Sequence, residues 1–328
     1  MIIATHDGSF HADEAVACAV LTTVFEHAPI IRTRDETEME KADLIIDVSG
    51  LNDERHFDHH SPDFTLARDN GVRYATAGLM WLHYGHGYMR KIRDNYRLND
   101  TPDQVLERAF ERIDREIMIA VDLNDNGQLN YYLDDLVHPE PGEGKRVFDE
   151  LNIFYQNEPS IPYLVAMMNL PNISADGQNK AFFYTVKMLR AFIQNAAVNA
   201  IYTEMGIAKV LEAYDGGEIL IMHDRLPWSS AIREHFELFD KCLLAVYPDR
   251  KRGWRVQALP LSRSERFKNK ITAPKSWCGL NFEELDAVSG LKDAIFVHRS
   301  GFTGGTLTYE EALHMARLWI EKGDRHFA

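Results

Sequence analysis

Over its first third the chain alternates short apolar runs with longer stretches in which apolar residues recur every three or four positions. Ile2-Ile3-Ala4 reads as a strand, and Ala12, Ala15, Val16, Ala19, Val20 and Val24 carry helical spacing directly after it. Residues 30 to 33 and 42 to 47 read as two further short strands. Helical spacing returns over residues 75 to 93, with Ala75, Leu79, Leu82 and Met89 among the apolar positions. It returns more cleanly in Leu106, Ala109, Phe110, Ile113, Ile117, Ala120 and Val121, which predict one amphipathic helix started by Thr101-Pro102-Asp103. Residues 136 to 162 are rich in Pro, Gly and Glu and read as a loop or insertion around Val147-Phe148. A proline-free helical stretch then runs from Lys180 to about Ala213 and is broken by Tyr214-Asp215-Gly216-Gly217.

Beyond that break the pattern changes to strands, at residues 218 to 222, 242 to 247, 254 to 259 and 294 to 298. Ser300-Gly301-Phe302-Thr303-Gly304-Gly305 reads as a glycine-rich loop between the last strand and a final helix that a Thr308-to-Glu311 capping box begins. Such a loop presents backbone N–H groups to phosphate. The expectation is an α/β protein of two domains. Residues 1 to 214 hold a parallel sheet flanked by helices, and residues 215 to 328 form a smaller mixed α/β domain.

Composition changes this picture little. Hydrophobic residues make up 45% and charged residues 26%, which suits a folded globular chain. No apolar run approaches the roughly 20 residues needed to span a bilayer. The opening Met1-Ile2-Ile3 starts a strand instead of a basic leader, so the expected location is the cytoplasm, with no membrane partner. Cys18, Cys242 and Cys278 are too far apart for a zinc motif and read as reduced thiols. The formal net charge of −14 argues against gripping long duplex nucleic acid, but not against a short phosphorylated substrate. Assembly into a homo-oligomer is left open.

The chemistry is concentrated near the N-terminus. Thr5-His6-Asp7-Gly8-Ser9-Phe10-His11-Ala12-Asp13-Glu14 joins the first strand to the first helix, at the strand's carboxyl end where open α/β sheets bind ligands. Imidazole mixed with carboxylate suits Mn, Fe or Zn. The strand at 42 to 47 ends on Asp47, which puts a carboxylate at the same sheet edge. Arg55-His56-Phe57-Asp58-His59-His60 follows, so six of the 14 histidines fall within residues 1 to 60. His83 and His86 have no acidic company and read as ordinary imidazoles. Asp122 and Asp125 lie at a helix C-terminus, where they oppose the macrodipole unless a cation offsets them.

If His6, His11, Asp13, Asp47, His59 and one of Asp122 or Asp125 converge, they suffice for two ions bridged by Asp47 about 3.5 to 4 Å apart. The water between them would attack a phosphoester or phosphoanhydride. His60 would serve the developing charge or the leaving oxygen, with Asp58 and Glu14 orienting the imidazoles. No Gly-x-Ser-x-Gly elbow supports a serine nucleophile.

The Asp58-His59-His60 triplet, with His6, His11 to Glu14 and Asp47, resembles the DHH phosphoesterase superfamily. The likeness is greater to its MYG branch, the melanocyte-proliferating-gene product and microbial relatives. Thr5 to Ala15, Arg32 to Asp35, Asp47 to Gly50, Asp58 to His60, Val121 to Gly127 and Phe296 to Gly305 match that branch's motifs in order, over nearly the whole chain. The resemblance implies a two-domain hydrolase with 3′-to-5′ RNA exonuclease activity and a dinuclear, manganese-type site. His6, His11 and Asp47 would hold one ion, and Asp13, Asp47, His59 and Asp122 or Asp125 the other. It further implies phosphate binding near Gly304-Gly305, although Thr306 stands where some relatives have His, so His298 or Arg299 would substitute beside Ser300 and Gly301. Three readings follow: an exonuclease on short RNA or nucleotides, a small-molecule phosphatase or pyrophosphatase, and a metal-holding regulatory protein without turnover. Trp228 and Trp254, as base-stacking candidates, favour the first.

Overall fold

The computed structural model describes residues 1 to 128, 160 to 263 and 268 to 326. The chain divides into two compact units, Met1–Tyr202 and Thr203–Ala328. Most of the insertion read at 136 to 162 lies outside the described residues. Only its end is described, where the Ser160 hydroxyl accepts from the Tyr163 N–H and caps a short helix.

The first unit is built on a four-stranded parallel sheet in the order β2-β1-β3-β4: β1 Ile3–Thr5, β2 Ile30–Arg32, β3 Leu44–Ile46 and β4 His56–Phe57. The central strands β1 and β3 are buried throughout, as expected of a parallel strand covered on both faces. Helix α1 (Ala12–Val24) is buried nearly all round and packs on α3 (Thr76–Asn95). Its run of Ala, Val and Cys leaves no polar face to turn outward, which is the pattern of a helix enclosed by the core. The short α2 (Glu36–Met39) was not legible as an element.

The expected helix through Leu106 and Val121 is present as one unbroken helical run, but it widens part-way along. It forms as α4 (Asp103–Ile113), a single wide π turn over Asp114–Met118, and α5 (Ile119–Asp125). The widened turn offsets α5 from the apolar stripe of α4 and changes which side chains α5 directs at the N-terminus of α3. α6 (Ile161–Met167) and the long α7 (Ala175–Ala213) follow.

The second unit centres on a mixed five-stranded sheet in the order β5-β6-β7-β10-β9. β5 (Ile219–Ile221) and β6 (Leu244–Pro248) are parallel. β7 (Trp254–Ala258), β10 (Thr303–Thr306) and β9 (Ala294–Val297) continue the sheet in antiparallel pairs. β8 (Ile271–Thr272) pairs outside it with β11 (Asp324–Arg325). The terminal helix α10 (Tyr309–Lys322) buries Ala312, Met315, Ala316 and Trp319 against Val246, Val256 and Val297. On the other face Leu220 and Ala245 pack with Ile207, Val210 and with Ala231 and Ile232 of α8 (Trp228–Glu234). α9 (Phe282–Ser289) precedes β9.

One sequence expectation is overturned here. Gly304 and Gly305 do not belong to a strand-to-helix loop; they sit inside β10, which has partners on both sides. Their backbone groups serve the sheet ladder. The glycines are needed for space instead: a Cβ on Gly304 would lie 3.0 Å from the Phe296 carbonyl and 3.1 Å from Met315 Sδ. On Gly305 it would meet the Trp254 carbonyl at 3.0 Å.

Candidate metal centre

At the carboxyl end of the parallel sheet, three loops and two helix termini bring imidazoles and carboxylates together. Each arrives by a local device. After β1, Glu14 in the first turn of α1 reaches back so that both its carboxylate oxygens accept from the His11 N–H at 3.0 Å. That contact fixes the loop carrying His6 and His11. After β3, Asp47 adopts a left-handed backbone with φ of 55°. Aspartate is one of the few residues that tolerates this region, and such positions concentrate at functional sites. After β4, the Asp58 carboxylate accepts from Gly50 N–H at 2.7 Å and His60 N–H at 3.0 Å, which ties the Asp58-His59-His60 turn to the loop after Asp47.

The N-terminus of α3 supplies the fourth device. Thr76 N–H and Ala77 N–H donate to the two oxygens of Asp13 at 2.8 and 2.6 Å, and Gly78 N–H donates to Asp122 at 3.0 Å. These are the otherwise unpaired amides of a helix start, and the helix dipole favours the negative charge they receive. Gly78 has no side chain because there is no room for one: a Cβ there would collide with the Asp122 carboxylate.

Three sets of donor atoms result, each within 4.8 Å of one another: His6, His11 and Glu14; Asp47, His59 and His60; Asp13, His59 and Asp125. His59 Nε2 stands at the middle, 3.0 Å from Asp125 and 3.7 Å from both Asp13 and Asp47. It is buried, yet no neighbour lies in the right direction to make a hydrogen bond with it. His6 Nε2 is 2.9 Å from Glu14 and 3.7 Å from Asp47. The Asp7 carbonyl, which only accepts, is 3.0 Å from His6 Nδ1, so Nδ1 carries a proton and Nε2 is the ring nitrogen turned to the acids and open to exchange its own proton for a metal. A ring nitrogen facing carboxylates takes either a proton or a metal cation between them, and an imidazole whose other N–H is held by a carbonyl is the usual form of a metal-ligating histidine. These donors fit a divalent ion.

The charges agree. Burial, and then the nearness of Asp125, hold the Asp13 carboxyl well above the ordinary range. Burial and then Asp13 and Glu14 do the same to Asp47. His59 is raised: burial opposes its charge, but Asp125 and Asp13 outweigh it. His6 is raised in the same way by Glu14 against burial. Asp58 goes the other way, to about 2, because its bonds from His60 and Gly50 overcome its burial. Acids crowded this closely in a dry site repel one another, and a bound cation removes the conflict.

Of the two acids at the end of α5, the structure brings Asp125 to His59, whereas Asp122 is engaged elsewhere. Asp122 accepts from Arg68 at 2.6 Å, and Arg68 forks onto Asp114 of the π turn at 2.6 and 2.8 Å. Burial still lifts Asp122 to about 7 against the pull of Arg68. Arg68 was not foreseen, since a lone arginine in a polar loop carries no signal. Glu14 joins the His6 and His11 set directly instead of standing behind it, as the His11-to-Glu14 spacing of three could have indicated. Pro162 and Ala166 join Phe10, Asn124 and Asp125 around a cavity of about 340 Å³ over Asp47 and His60.

A family model described as "Uncharacterised protein family (UPF0160)", the MYG1 exonuclease model, matches residues 2 to 320. A MYG1 protein of Caenorhabditis elegans is 30% identical over 99% of this chain and 96% of its own length. This chain belongs to the MYG1 family. Rat and human relatives named MYG1 exonuclease are 30% and 29% identical, over 97% of this chain and 84% and 85% of theirs. Among solved structures, a pGpG-specific phosphodiesterase of Vibrio aligns over 98% of this chain and 97% of its own at 14% identity and a TM-score of 0.26, too poor a superposition to speak to the fold. Membership in the MYG1 family makes this chain a hydrolase of the phosphoesterase class.

The residues read as substrate-binding in this MYG1 chain all lie in the second unit. His298, Arg299 and Ser300 are exposed at the turn between β9 and β10, with His298 Nδ1 2.7 Å from the Ser300 hydroxyl. Gly301 follows with φ of 66°, while Gly304 and Gly305 are buried in the sheet. The Trp254 and Tyr309 rings lie 4.7 Å apart, tilted by 50°, and Trp228 lies 5.8 Å from Tyr247. Both tryptophans are half-buried. Cys18 and Cys242 are buried free thiols, and Cys278 is half-buried. Among the described residues no helix is long and apolar enough to cross a membrane.

Proposed function

We propose that this chain is a divalent-metal-dependent phosphodiester hydrolase that removes nucleotides from the 3′ end of short RNA. The observation that carries the reading is the buried, unpartnered Nε2 of His59 among Asp13, Asp47 and Asp125. His6, His11 and Glu14 would hold one ion; Asp13, His59 and Asp125 would hold a second, with Asp47 between the two sets. Manganese suits this mixture of imidazole and carboxylate. Ions held there would polarise a phosphoryl oxygen and bring the pKa of water toward neutrality.

The chain's own groups do the rest. Asp58, charged down to about pH 2, accepts from the His60 ring at Nδ1, 2.8 Å away. A carboxylate only accepts, so Nδ1 carries the proton and Nε2 is the atom that exchanges one. The His60 side chain is 62% exposed beside the cavity, which lets Nε2 hand a proton to a departing 3′ oxygen. Phe10 and Ala12 line the same cavity and exclude water from one side of it. The relatives named exonucleases support a nucleic-acid substrate, and the net charge of −14 favours a short one.

The test adds Mn²⁺ to chelator-stripped protein and follows a short 5′-end-labelled RNA. Stepwise shortening that Asp47→Ala abolishes, in a protein that still folds, is the expected result. Full activity in folded Asp47→Ala would sink the mechanism. Cleavage of pyrophosphate with no RNA shortening would replace the substrate by a small phosphoanhydride.

A further inference from the structure

A second cavity lies away from the metal centre. It encloses about 900 Å³ within the second unit, between α8, the end of β7 and the turn joining β9 to β10. Its size is that of a small-molecule site. Two kinds of lining set it apart. Trp228, Phe236 and Phe302 give it three aromatic rings, and Arg233, Arg263 and Lys268 give it three cations. Among the described residues no aspartate or glutamate lines it, in a chain whose net charge is −14. The cations are not equivalent. Arg263 is paired to Glu237 at 2.7 Å, whereas Arg233 is exposed and has no ion-pair partner among the described residues. Gln257 adds a polar edge: its Oε1 accepts from the Tyr247 hydroxyl at 2.7 Å, which orients the amide and leaves its NH₂ for another acceptor.

Rings, a fixed amide and an unpaired guanidinium around one hollow recognise a flat heteroaromatic group bearing an anion. We propose that this cavity binds a nucleotide, with the base on the Trp228, Phe236 and Phe302 rings and the phosphate on Arg233. Base stacking on aromatic rings works for any base, and a guanidinium matches phosphate by paired hydrogen bonds. An acidic peptide would use the cations and leave the rings idle. The nucleotide has two possible sources, a residue of a bound RNA strand or a free mononucleotide. The strand source rests on the exonuclease reading above; the binding itself does not.

The binding is tested on the full chain in chelator, by calorimetric titration with adenosine 5′-monophosphate, adenosine and ribose 5-phosphate. One saturable site per chain for the nucleotide is expected, with the other two compounds at least about tenfold weaker. Arg233→Ala, at an exposed position, should weaken the nucleotide about tenfold, and Asp47→Ala should leave it unchanged. Absence of saturable binding, equal binding of ribose 5-phosphate, or binding that ignores Arg233→Ala would overturn the proposal. With Mn²⁺ and labelled RNA, the strand source predicts a raised KM and an unaltered kcat in Arg233→Ala. The free-nucleotide source predicts that added nucleotide changes the rate at saturating RNA, and that Arg233→Ala removes this response. If no RNA is cleaved, the exonuclease reading fails, and the chelator titration still decides the cavity.

Discussion

Arg68→Ala is the substitution from which the metal-centre geometry predicts most. The Arg68 side chain is only 7% exposed, and it bonds Asp122, itself fully buried, and Asp114. Its guanidinium also lies 4.1 Å over the Tyr74 ring. Removing one member of a buried ion pair leaves the other unpaired, at a cost of about 3 to 5 kcal/mol. Here the cost depends on pH in a defined direction. Asp122 sits at about 7 with Arg68 in place, above its unfolded value, so its contribution to stability is withdrawn as pH rises from about 4 through 7. Without Arg68 that pKa rises further, and at pH 6 Asp122 takes a proton and sheds most of the conflict. Urea unfolding of chelator-stripped protein, followed by far-ultraviolet circular dichroism, should therefore show a gap between wild type and Arg68→Ala of about 3 kcal/mol or more at pH 8.5, and a clearly smaller one at pH 6. Arg68→Lys should recover only part of it, because an ammonium cannot fork onto Asp114. A gap under about 1 kcal/mol at both pH values, or one larger at pH 6, would refute the account of Asp122 as a buried acid held by Arg68.

Other expectations are more local. Asp58→Asn should cost about 2 kcal/mol near neutral pH, since Asp58 titrates at about 2 against an ordinary 3.8. That stability is present above about pH 4 and lost as pH falls toward 2, so the melting curves of variant and wild type should converge at acid pH. Gly78→Ala should cost about 1 to 3 kcal/mol by driving a methyl into Asp122, with reduced metal-dependent activity as the second readout. Mn²⁺ at one hundred times its dissociation constant should stabilise the wild type by about 2.7 kcal/mol, and Asp13→Ala by much less, in a thermal melt with and without the ion.

The elements around the metal centre were largely legible from sequence because their apolar runs are short, continuous and buried, as in β1 and β3. Motif order located His6, His11, Asp13, Asp47, His59 and His60, and the structure brings all of them to one sheet edge. What sequence did not show has physical causes. The choice between Asp122 and Asp125 depends on the π turn at Asp114–Met118, and an unbroken apolar stripe hides a widened turn. β4 was invisible because a two-residue strand inside a histidine cluster has no period. β10 was misread because Thr-Gly-Gly-Thr carries turn chemistry, and its strand state follows from pairing on both sides and from the nearness of Met315, neither of which is local. The cavity at Trp228 and Arg233 draws on residues 70 or more positions apart, such as Trp228 and Ser300.

The left-handed backbone of Asp47 sets this site against the thermal endurance of the protein. An aspartate there bears conformational strain and electrostatic repulsion from Asp13 and Glu14 together, and glycine would bear neither. In the absence of ions, Asp47→Gly should thus melt later than the parent while turning over nothing. A selection for heat resistance alone would be expected to discard this residue first, leaving a more durable protein without its chemistry.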